Sequence, residues 1–492
     1  MASRRFVEQL RVVQDALNVP LAAGPTGTGP ADPPCAFQRG TILVGSEDAG
    51  WLQESSDSPL RHMSPRRQSH PERAGLVRLS VGSAVDEAEL GDPTRRDLGD
   101  PMRPDDDVPE ALDRLKNMAD RRAIDAAPNH IIGITNGTIC PADEPWPTTE
   151  PRSVRDVAPA PADHRRPLVL VIDTGLVAEY GLLGFGDGIS GAARKNETTT
   201  GPDGQEYIRE YVGHGTFITG LLKAVAPTAL VQVSNVLDQS GAALEDDFTH
   251  RLFAALDQFQ AEHSDWPDII SLSAGSPALK DLHHLPVFSR FIEAIRDKPT
   301  LLVAAAGNNG NSIRFWPAAY AAEPSAADFV VSVGALRECL TGRACFSDFG
   351  PWVKVFAPGE RLVSGFSGAA RKLQYQHATF EQCQFLPPAD NYCCACRAPY
   401  HGGALSHESS LVGGGSVADF TGTHDARWSG TSFATPLVAG YVAQRMAREN
   451  RADARGVYAD MRKNAERIDI AGETALKIVP TGFTVQPMDV DC

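Results

Sequence analysis

The sequence contains no run of about 18 or more uncharged apolar residues, so a membrane span is not expected. It also lacks an excess of basic charge. The formal net charge of −16 at pH 7 offers no attraction for the phosphate backbone of nucleic acid or for anionic lipid. The first 20 residues lack the continuous apolar stretch of a secretory signal, because Glu8, Gln9 and Arg11 interrupt it. We therefore expect neither a nucleic-acid partner nor a membrane partner.

Cysteine is scarce as well, and its nine copies are an odd number. Proteins that rely on a disulfide framework carry paired cysteines at regular spacings, and this sequence does not show that pattern. The low content favours a reducing environment and a cytoplasmic location. Secretion stays open as the alternative.

The chain of 492 residues is longer than one hydrophobic core usually organises. Residues 1–150 form an N-terminal region that begins with an amphipathic helix. It continues over residues 21–107 with a stretch rich in Pro, Gly, Asp, Ser and Arg, which predicts partial disorder. Order returns with a helical pattern at residues 111–122 and a strand-like run at residues 130–135. A proline-rich linker is predicted at residues 151–167.

The pattern changes in residues 168–450, where short apolar runs alternate with helical ones. Five runs are typical of buried strands: residues 168–172, 229–236, 268–272, 300–306 and 329–335. Amphipathic helical patterns lie between them at residues 245–260 and 286–298. This alternation predicts an α/β fold of three layers, in which a mostly parallel sheet has helices on both faces. Residues 451–492 are interpreted as a C-terminal extension.

Functional side chains in such a sheet lie beyond the carboxyl ends of its strands, and four polar residues have suitable positions. Asp173 directly follows the first apolar run, in VIDTG, where a short acid can orient a histidine. His214 opens the helical pattern GHGTFITGLLKA between two glycines. Asn308 ends a strand in AAAGNNG, and its amide can donate to an oxyanion. Ser432 in SGTSFATP precedes a long helix, whose N-terminus favours developing negative charge.

Each of these residues also has an ordinary structural interpretation. Asp173 could end a turn or cap a helix, and His214 could be a loop residue. Ser432 could be a helix N-cap, and Asn-Asn-Gly is a good turn sequence. The four together favour chemistry, because they occur in the order Asp, His, Asn, Ser and each lies at a strand end or a helix start.

The four segments resemble those of the subtilase family of serine peptidases, in which the triad has this order. The resemblance extends to DIISLSAG at residues 268–275 and to ACFSDFGPWVKVFAPGE at residues 344–360. It implies a serine endopeptidase that works through an acyl-enzyme, and a processing protease is the narrower form of this expectation. Its triad would be Asp173, His214 and Ser432, and Asn308 would hold the oxyanion. The partner is then a peptide or protein substrate.

The resemblance also implies where that substrate binds. One segment would pair with the substrate backbone by strand addition, and a second would form the opposite wall of the pocket for the residue before the cleaved bond. These segments are Ser271, Leu272 and Ser273, and Ala305, Ala306 and Gly307. The chemistry requires no cofactor. Structural calcium is common in the family, but no ligand set is recognisable, so the metal ligands stay unknown.

Three features depart from the family's pattern. Phe217 stands where many members have a second histidine, and Ser273 where glycine is common, so both could narrow or polarise the pocket. Residues 361–420 form an insertion at the expected rim of the site. It contains a C-x-x-C pair, Cys393 and Cys396, which zinc, unligated thiols or an oxidised pair would each explain. Further candidate ligands in the insertion are Cys383, His377, His401 and His407.

Two other functions compete with the peptidase. A binding protein that keeps the fold without turnover is disfavoured, because no triad residue is missing. Another hydrolase or transferase with the same triad is disfavoured, because α/β-hydrolases place their serine in G-x-S-x-G. The N-terminal region has two interpretations. It is either a prodomain, cut from the peptidase within residues 141–167, or a permanent accessory domain.

Overall fold

The computed structural model describes residues 4–27, 34–68, 75–82, 98–103, 105, 107–118, 122, 124–134, 144–201, 203–282, 284–367, 374–376 and 417–485. Its helices are α1 (Arg4–Leu17), α2 (Ser46–Glu54), α3 (Asp107–Lys116), α4 (His214–Val225), α5 (Glu245–His263), α6 (Pro286–Arg296), α7 (Thr431–Glu449) and α8 (Ala454–Asn464). Within these residues, no helix has both the length and the apolar character that a bilayer crossing requires.

The strands fall into an N-terminal set and a larger set that follows it. The N-terminal strands are β1 (Leu21–Gly24), β2 (Cys35–Gly45), β3 (Arg66–Arg67), β4 (Leu76–Ser80) and β5 (Ala126–Gly133). Those up to the middle of the chain are β6 (Trp146–Pro147), β7 (Leu168–Asp173), β8 (Leu176–Val177), β9 (Ile189–Gly191), β10 (Ala193–Arg194), β11 (Thr198–Thr200), β12 (Glu206–Ile208), β13 (Leu230–Asn235), β14 (Ala242–Leu244), β15 (Ile269–Leu272) and β16 (Ser276–Pro277). The remaining strands are β17 (Leu301–Ala305), β18 (Phe315–Trp316), β19 (Val330–Leu336), β20 (Val355–Pro358), β21 (Leu362–Gly365), β22 (Gln374–Gln376), β23 (Val417–Asp419), β24 (Asp425–Trp428), β25 (Glu466–Ile470) and β26 (Glu473–Lys477).

A mostly parallel sheet forms the centre of the molecule, with the strand order β25-β26-β20-β19-β17-β15-β7-β13-β9. Its neighbours pair in parallel except at the β25–β26 edge. The five predicted runs correspond to β7, β13, β15, β17 and β19. Of these, β7, β15, β17 and β19 are buried along their whole length, and β13 is buried over its middle residues. Helices α4 and α7 pack on each other, and α7 also packs on β15, β17, β19 and β20. The predicted α/β fold is confirmed.

The C-terminal extension continues this sheet. Strand β26 pairs in parallel with β20, with Leu476 opposite Val355, and the buried side chains of Leu476 and Ile478 join the core. Helix α8 contributes Val457 and Met461 to the same core. Residues 451–485 are thus integral to the predicted peptidase unit, a name used here for the described residues from 168 to 485, because burying these apolar side chains stabilises the sheet edge.

The N-terminal region folds around an antiparallel sheet in the order β14-β5-β2-β4-β3, with β1 paired to β2. Its core includes Phe37, Ile42, Leu52, Leu79 and Leu115. Strands β1 to β4 and α2 lie within residues 21–107, for which the composition predicts partial disorder. Their apolar residues are separated by polar connecting residues, which dominate the local composition.

One strand of this N-terminal sheet belongs to the peptidase unit. Strand β14 pairs antiparallel with the end of β5, with Leu244 opposite Ile131 and Ala242 opposite Gly133. Apolar side chains of α1, among them Leu10, pack in the same small cluster as Ile131 and Leu244. The N-terminal region and the peptidase unit therefore share a sheet as well as a chain.

The predicted linker is anchored along its length. Arg152 binds both carboxylate oxygens of Asp425, at 2.9 and 2.8 Å. Val154 pairs with Phe483, and the side-chain amide of Gln444 donates to the Ala158 carbonyl at 2.9 Å. Prolines prevent regular structure here, but the remaining backbone and side-chain groups still bond to the peptidase unit. Residues 151–167 are therefore not a free tether.

Candidate active site

Asp173 and His214 meet at the carboxyl end of the central sheet. Asp173 is the last residue of β7, and His214 is the first residue of α4. His214 Nδ1 lies 2.8 Å from Oδ1 and 3.0 Å from Oδ2 of Asp173, and both side chains are buried. An ionised carboxylate can only accept, so Nδ1 carries the proton and Nε2 is left as a proton acceptor.

Two glycines allow His214 to approach this closely. Gly213 has φ +82°, in the left-handed region that favours glycine, and a Cβ there would lie 2.7 Å from the Phe366 ring. A Cβ on Gly215 would overlap the carbonyl oxygen of Gly175, just beyond β7. The glycines on both sides of the histidine thus permit the contact between the start of α4 and the end of β7.

Ser432 is the second residue of α7, and aromatic residues near it in the chain contact His214. The ring of its neighbour Phe433 packs against the His214 ring, with 5.1 Å between the centroids, and the Trp428 ring meets His214 edge-on at 5.3 Å. Ser432 Oγ is buried and makes no hydrogen bond with any described residue, His214 included. Catalytic hydrogen bonds often form only when substrate is present.

Asn308 is fixed against the start of the same helix. Its Oδ1 accepts from the backbone N–H and from the hydroxyl of Thr431, both at 2.8 Å. Because a backbone N–H can only donate, the atom it meets must be the amide oxygen, which assigns the orientation of the side chain. The amide nitrogen is then the donor that Asn308 can present to an oxyanion.

A buried carboxylate that the sequence did not single out supports the loop carrying Asn308. Asp348 accepts from the backbone N–H groups of Asn309 and Asn311, at 2.9 and 3.2 Å, and from the Asn309 side-chain amide at 2.9 Å. Its own N–H donates to the Gly307 carbonyl at 2.9 Å. Burial raises the pKa of Asp348 to about 7, although these hydrogen bonds and Arg343 oppose the rise. Its signal in the sequence was the FSDFG segment.

The predicted substrate strand requires a correction. Ser271 and Leu272 lie inside the central sheet, where β15 already pairs with β7 on one side and β17 on the other. A substrate strand therefore cannot pair with them. Ser273 lies just beyond the strand, and its hydroxyl donates to the Ser432 carbonyl at 3.0 Å. The part of this segment that lies outside the central sheet begins at Ser273, two residues later than the sequence predicted, and it reaches Gly275.

The chain itself occupies this edge. Gly133, at the end of β5, exchanges two backbone hydrogen bonds with Gly275, at 3.0 and 2.9 Å. The N–H of Ile134 donates to the Gly241 carbonyl at 2.9 Å. The end of β5 therefore lies between β14 and Gly275, as an extended peptide would when it adds a strand to both.

The next described strand, β6, lies near the start of α7, the helix that carries Ser432. Strand β6 pairs antiparallel with β24, with Trp146 opposite Arg427, and β24 ends four residues before Ser432. The end of β5 pairs with β14 instead. Strands β5 and β6 therefore pair with different parts of the peptidase unit.

The remaining predictions about the site have different outcomes. Ala305 ends β17, and Ala306 and Gly307 follow it toward Asn308. Phe217 lies in the core, with 4.6 Å between its ring centroid and that of Phe433. The insertion's C-x-x-C pair and the other proposed zinc ligands fall outside the described residues. Among the residues that the structure describes, no group of three or more His, Cys, Asp or Glu is placed to hold a metal ion.

Known proteins resemble this chain most clearly over the central sheet. The sequence model of the subtilase family matches residues 165–476. A thermophilic serine proteinase from Bacillus sp. (strain AK1) is 30% identical over 165 residues, which cover 32% of this chain and 36% of that protein. Subtilisin Savinase from Lederbergia lenta is 27% identical over 225 residues, 43% of this chain and 72% of that protein. The crystal structure of fervidolysin from Fervidobacterium pennivorans, a keratinolytic enzyme related to subtilisin, has 17% identity and a TM-score of 0.48, and the match covers 92% of this chain and 61% of that one. The first of these matches spans only about a third of its relative's length.

Proposed function

The chain belongs to the subtilase family, and on this premise we propose that it is a serine endopeptidase with Asp173, His214 and Ser432 as its triad. The observation that carries the proposal is the buried contact of His214 Nδ1 with the Asp173 carboxylate, at 2.8 and 3.0 Å, together with the packing of Phe433, the neighbour of Ser432, against the His214 ring. The substrate is a peptide or protein. Family members need no cofactor for catalysis, and the proposed steps use only groups of this chain.

In the first step, Ser432 Oγ attacks the carbonyl carbon of the peptide bond while His214 Nε2 takes the hydroxyl proton. The C–N bond then breaks, the imidazolium gives this proton to the leaving amine, and an acyl-enzyme stays on Ser432. Water then attacks the ester carbonyl while His214 Nε2 takes one of its protons. His214 returns this proton to Ser432 Oγ as the carboxylic acid product leaves. Asp173 keeps Nδ1 protonated and stabilises the imidazolium.

The negative charge that develops on the carbonyl oxygen needs donors held in place beforehand. We assign this role to the side-chain amide of Asn308 and the backbone N–H of Ser432. Thr431 supports the assignment, because its two hydrogen bonds to Asn308 Oδ1 leave the amide nitrogen as the donor. The Ser432 N–H lies in the first turn of α7, where backbone donors have no partner within the helix.

Of the two interpretations of the N-terminal region, we favour the inhibitory prodomain. The support is the end of β5, which occupies the edge at Gly275 where a substrate strand would add. Because residues 151–167 are anchored to the peptidase unit, we place the self-cleavage site between Ile134 and Trp146 instead. The enzyme is then a processing protease at least toward its own chain.

A fluorophosphonate probe, which reacts with activated serine hydroxyls, tests the proposal. Wild-type protein should be labelled and should cleave peptides once the N-terminal region is released, and Ser432→Ala should do neither. Asn308→Ala should keep the label and lose about 100- to 1000-fold in kcat, as loss of the corresponding donor does in subtilisin. Removal of the nucleophile in subtilisin costs about a million-fold.

Ser325→Ala, which changes an exposed serine, serves as the matched control and should label and turn over like the wild type. Equal labelling and turnover by Ser432→Ala would refute the assignment of the nucleophile. A correctly folded wild type that releases its N-terminal region but neither labels nor cleaves would favour the binding protein without turnover.

A further inference from the structure

A crevice opens where two central strands end beside the triad. Strands β15 and β17 pair in parallel as far as Leu272 and Ala304. Beyond that pair, residues 273–275 and 305–307 run on without pairing to each other in the sheet. The first segment leads to Gly275, which binds the end of β5, and the second leads to Asn308.

The side chain of Phe315 fills this crevice. A Cβ on Gly275 would lie 2.6 Å from Phe315 Cε1, and a Cβ on Gly307 would lie 3.1 Å from Phe315 Cγ. The ring therefore contacts the backbone of both walls, and only 1% of the residue is exposed. Strand β18 holds it there by pairing with β16, with Phe315 opposite Pro277.

The crevice is the place for the side chain that precedes the cleaved bond. A peptide that pairs with Gly275, as Gly133 does, runs toward Ser432 along the first wall. Ser273 ties this wall to the nucleophile, because its hydroxyl donates to the Ser432 carbonyl. The second wall carries Asn308, which must bond to the oxygen of the attacked carbonyl. A side chain on that carbonyl's residue therefore lies between the walls, above the Phe315 ring.

We infer that Phe315 restricts the residue before the cleaved bond to a small one, namely glycine, alanine, serine or threonine. The inference rests on the proposed peptidase function and deepens it by naming the substrate class. An aromatic ring already fills the depth that a large side chain needs, and close-packed walls do not yield cheaply. A large apolar residue would have to displace the ring from both glycines.

The test uses protein that is expressed as the full chain and has then released its N-terminal region. Active sites are counted by fluorophosphonate labelling. Peptides that differ only in the residue before the cleaved bond, which is glycine, alanine, leucine or phenylalanine, are compared by kcat/KM. The wild type should cleave the alanine peptide with a kcat/KM about 100-fold higher than that for the phenylalanine peptide, the range expected for pocket volume. Phe315→Ala should lower this ratio of kcat/KM values by at least about tenfold, or reverse the preference. Phe315→Leu should give an intermediate ratio.

Phe259→Ala removes an equally buried phenylalanine from α5 and should leave the ratio unchanged, which separates a pocket effect from general loss of packing. A wild type that cleaves the phenylalanine and alanine peptides equally well overturns the inference even if Phe315→Ala does not fold. So does an unchanged ratio in folded, labelled Phe315→Ala, and in both cases the peptidase assignment survives. Absence of both labelling and turnover in the wild type would instead refute the proposed function, and the inference with it.

Discussion

At the scale of single residues, Asp348 is the buried acid that decides how the loop with Asn308 is held. Its carboxylate collects three hydrogen bonds from Asn309 and Asn311. A side chain on Gly307 would overlap Asp348 Oδ2, so the glycine allows the acid to approach the loop directly. In the proposed mechanism, Asp348 is a positioning residue, because it would act on the oxyanion only through the loop that carries Asn308.

The raised pKa of Asp348 predicts a pH dependence of stability. Its pKa increases from 3.8 to about 7 through burial. Between these values the folded state keeps a proton that the unfolded state has released, so the free energy of unfolding falls as the pH rises. Asp348→Asn has no such proton, and its amide oxygen can still accept from the two backbone N–H groups. We expect the difference in unfolding free energy between wild type and variant to shift in favour of the variant from about pH 4 to pH 7, in urea denaturation series.

Asp163→Asn, which neutralises an exposed aspartate, is the matched control for the change in net charge. Its unfolding free energy should differ little from that of the wild type, and the difference should vary little with pH, because exposed charges contribute little to stability. If the difference in unfolding free energy between the wild type and Asp348→Asn stays constant over this pH range, the raised pKa of Asp348 is contradicted.

At the scale of elements, the first turn of α5 is the docking point for the N-terminal region. Its acids suit the positive end of the helix dipole. Glu245 Oε2 lies 2.9 Å from His130 Nδ1, and Asp246 Oδ1 accepts from the Asn129 amide at 3.0 Å. Asp246 also forms a buried ion pair with Arg78. The turn that starts a peptidase helix therefore binds β4 and β5.

Arg78→Ala should weaken this docking. Removing one partner of a buried ion pair leaves the other charge uncompensated, at a cost of about 3–5 kcal/mol, and this corresponds to about 100-fold or more in affinity. After self-cleavage, the N-terminal fragment should co-elute with the wild-type peptidase in size-exclusion chromatography and separate from the variant. Peptide turnover before separation should be higher in the variant, because the cleft is vacated sooner.

Arg114→Ala breaks an exposed pair with Glu110 on α3 of the same region, so it controls for loss of an arginine. Such a pair contributes about 0.3–0.5 kcal/mol, and the fragment should stay bound. Equal retention of the fragment by wild type and Arg78→Ala would show that the Asp246 contact does not hold the two parts together.

At the scale of the whole molecule, the two strands that flank residues 135–143 pair at different places in the peptidase unit. Strand β5 pairs with β14, and β6 pairs with β24. The parallel sheet requires many contacts between distant segments, which makes its folding slow. The N-terminal sheet, extended by β14, can serve as a template for the nearby strand ends.

We expect the wild type to cut itself between Ile134 and Trp146 and Ser432→Ala to stay full length, as measured by intact mass. Residues 144–492 expressed alone should fold poorly, and residues 1–134 added in trans should restore activity. The fragment begins at residue 144 because the segment that follows is anchored through Arg152 and Val154. An uncut wild type, together with active and well-folded residues 144–492 made without help, would favour the permanent accessory domain.

The sequence by itself determined the central strands and the candidate triad. The apolar runs of β7, β13, β15, β17 and β19 are local signals, because a strand buried on both faces must be apolar along its whole length. Asp173, His214 and Ser432 could be identified because each lies at the end of such a run or at the start of a helix. Their residue types and spacing carry the chemistry without reference to distant partners.

Only the tertiary structure decided how distant segments pair. Except for β5, the N-terminal strands were not singled out among their polar connecting residues, and Ser271 and Leu272 were assigned to a substrate that the neighbouring strands exclude. The sequence around Asp348 and Phe315 did not show which loop and which crevice these side chains contact. Hydrogen-bond partners and packing neighbours separated by tens to hundreds of residues are set by the cooperative burial of the whole core, which no short window of sequence contains.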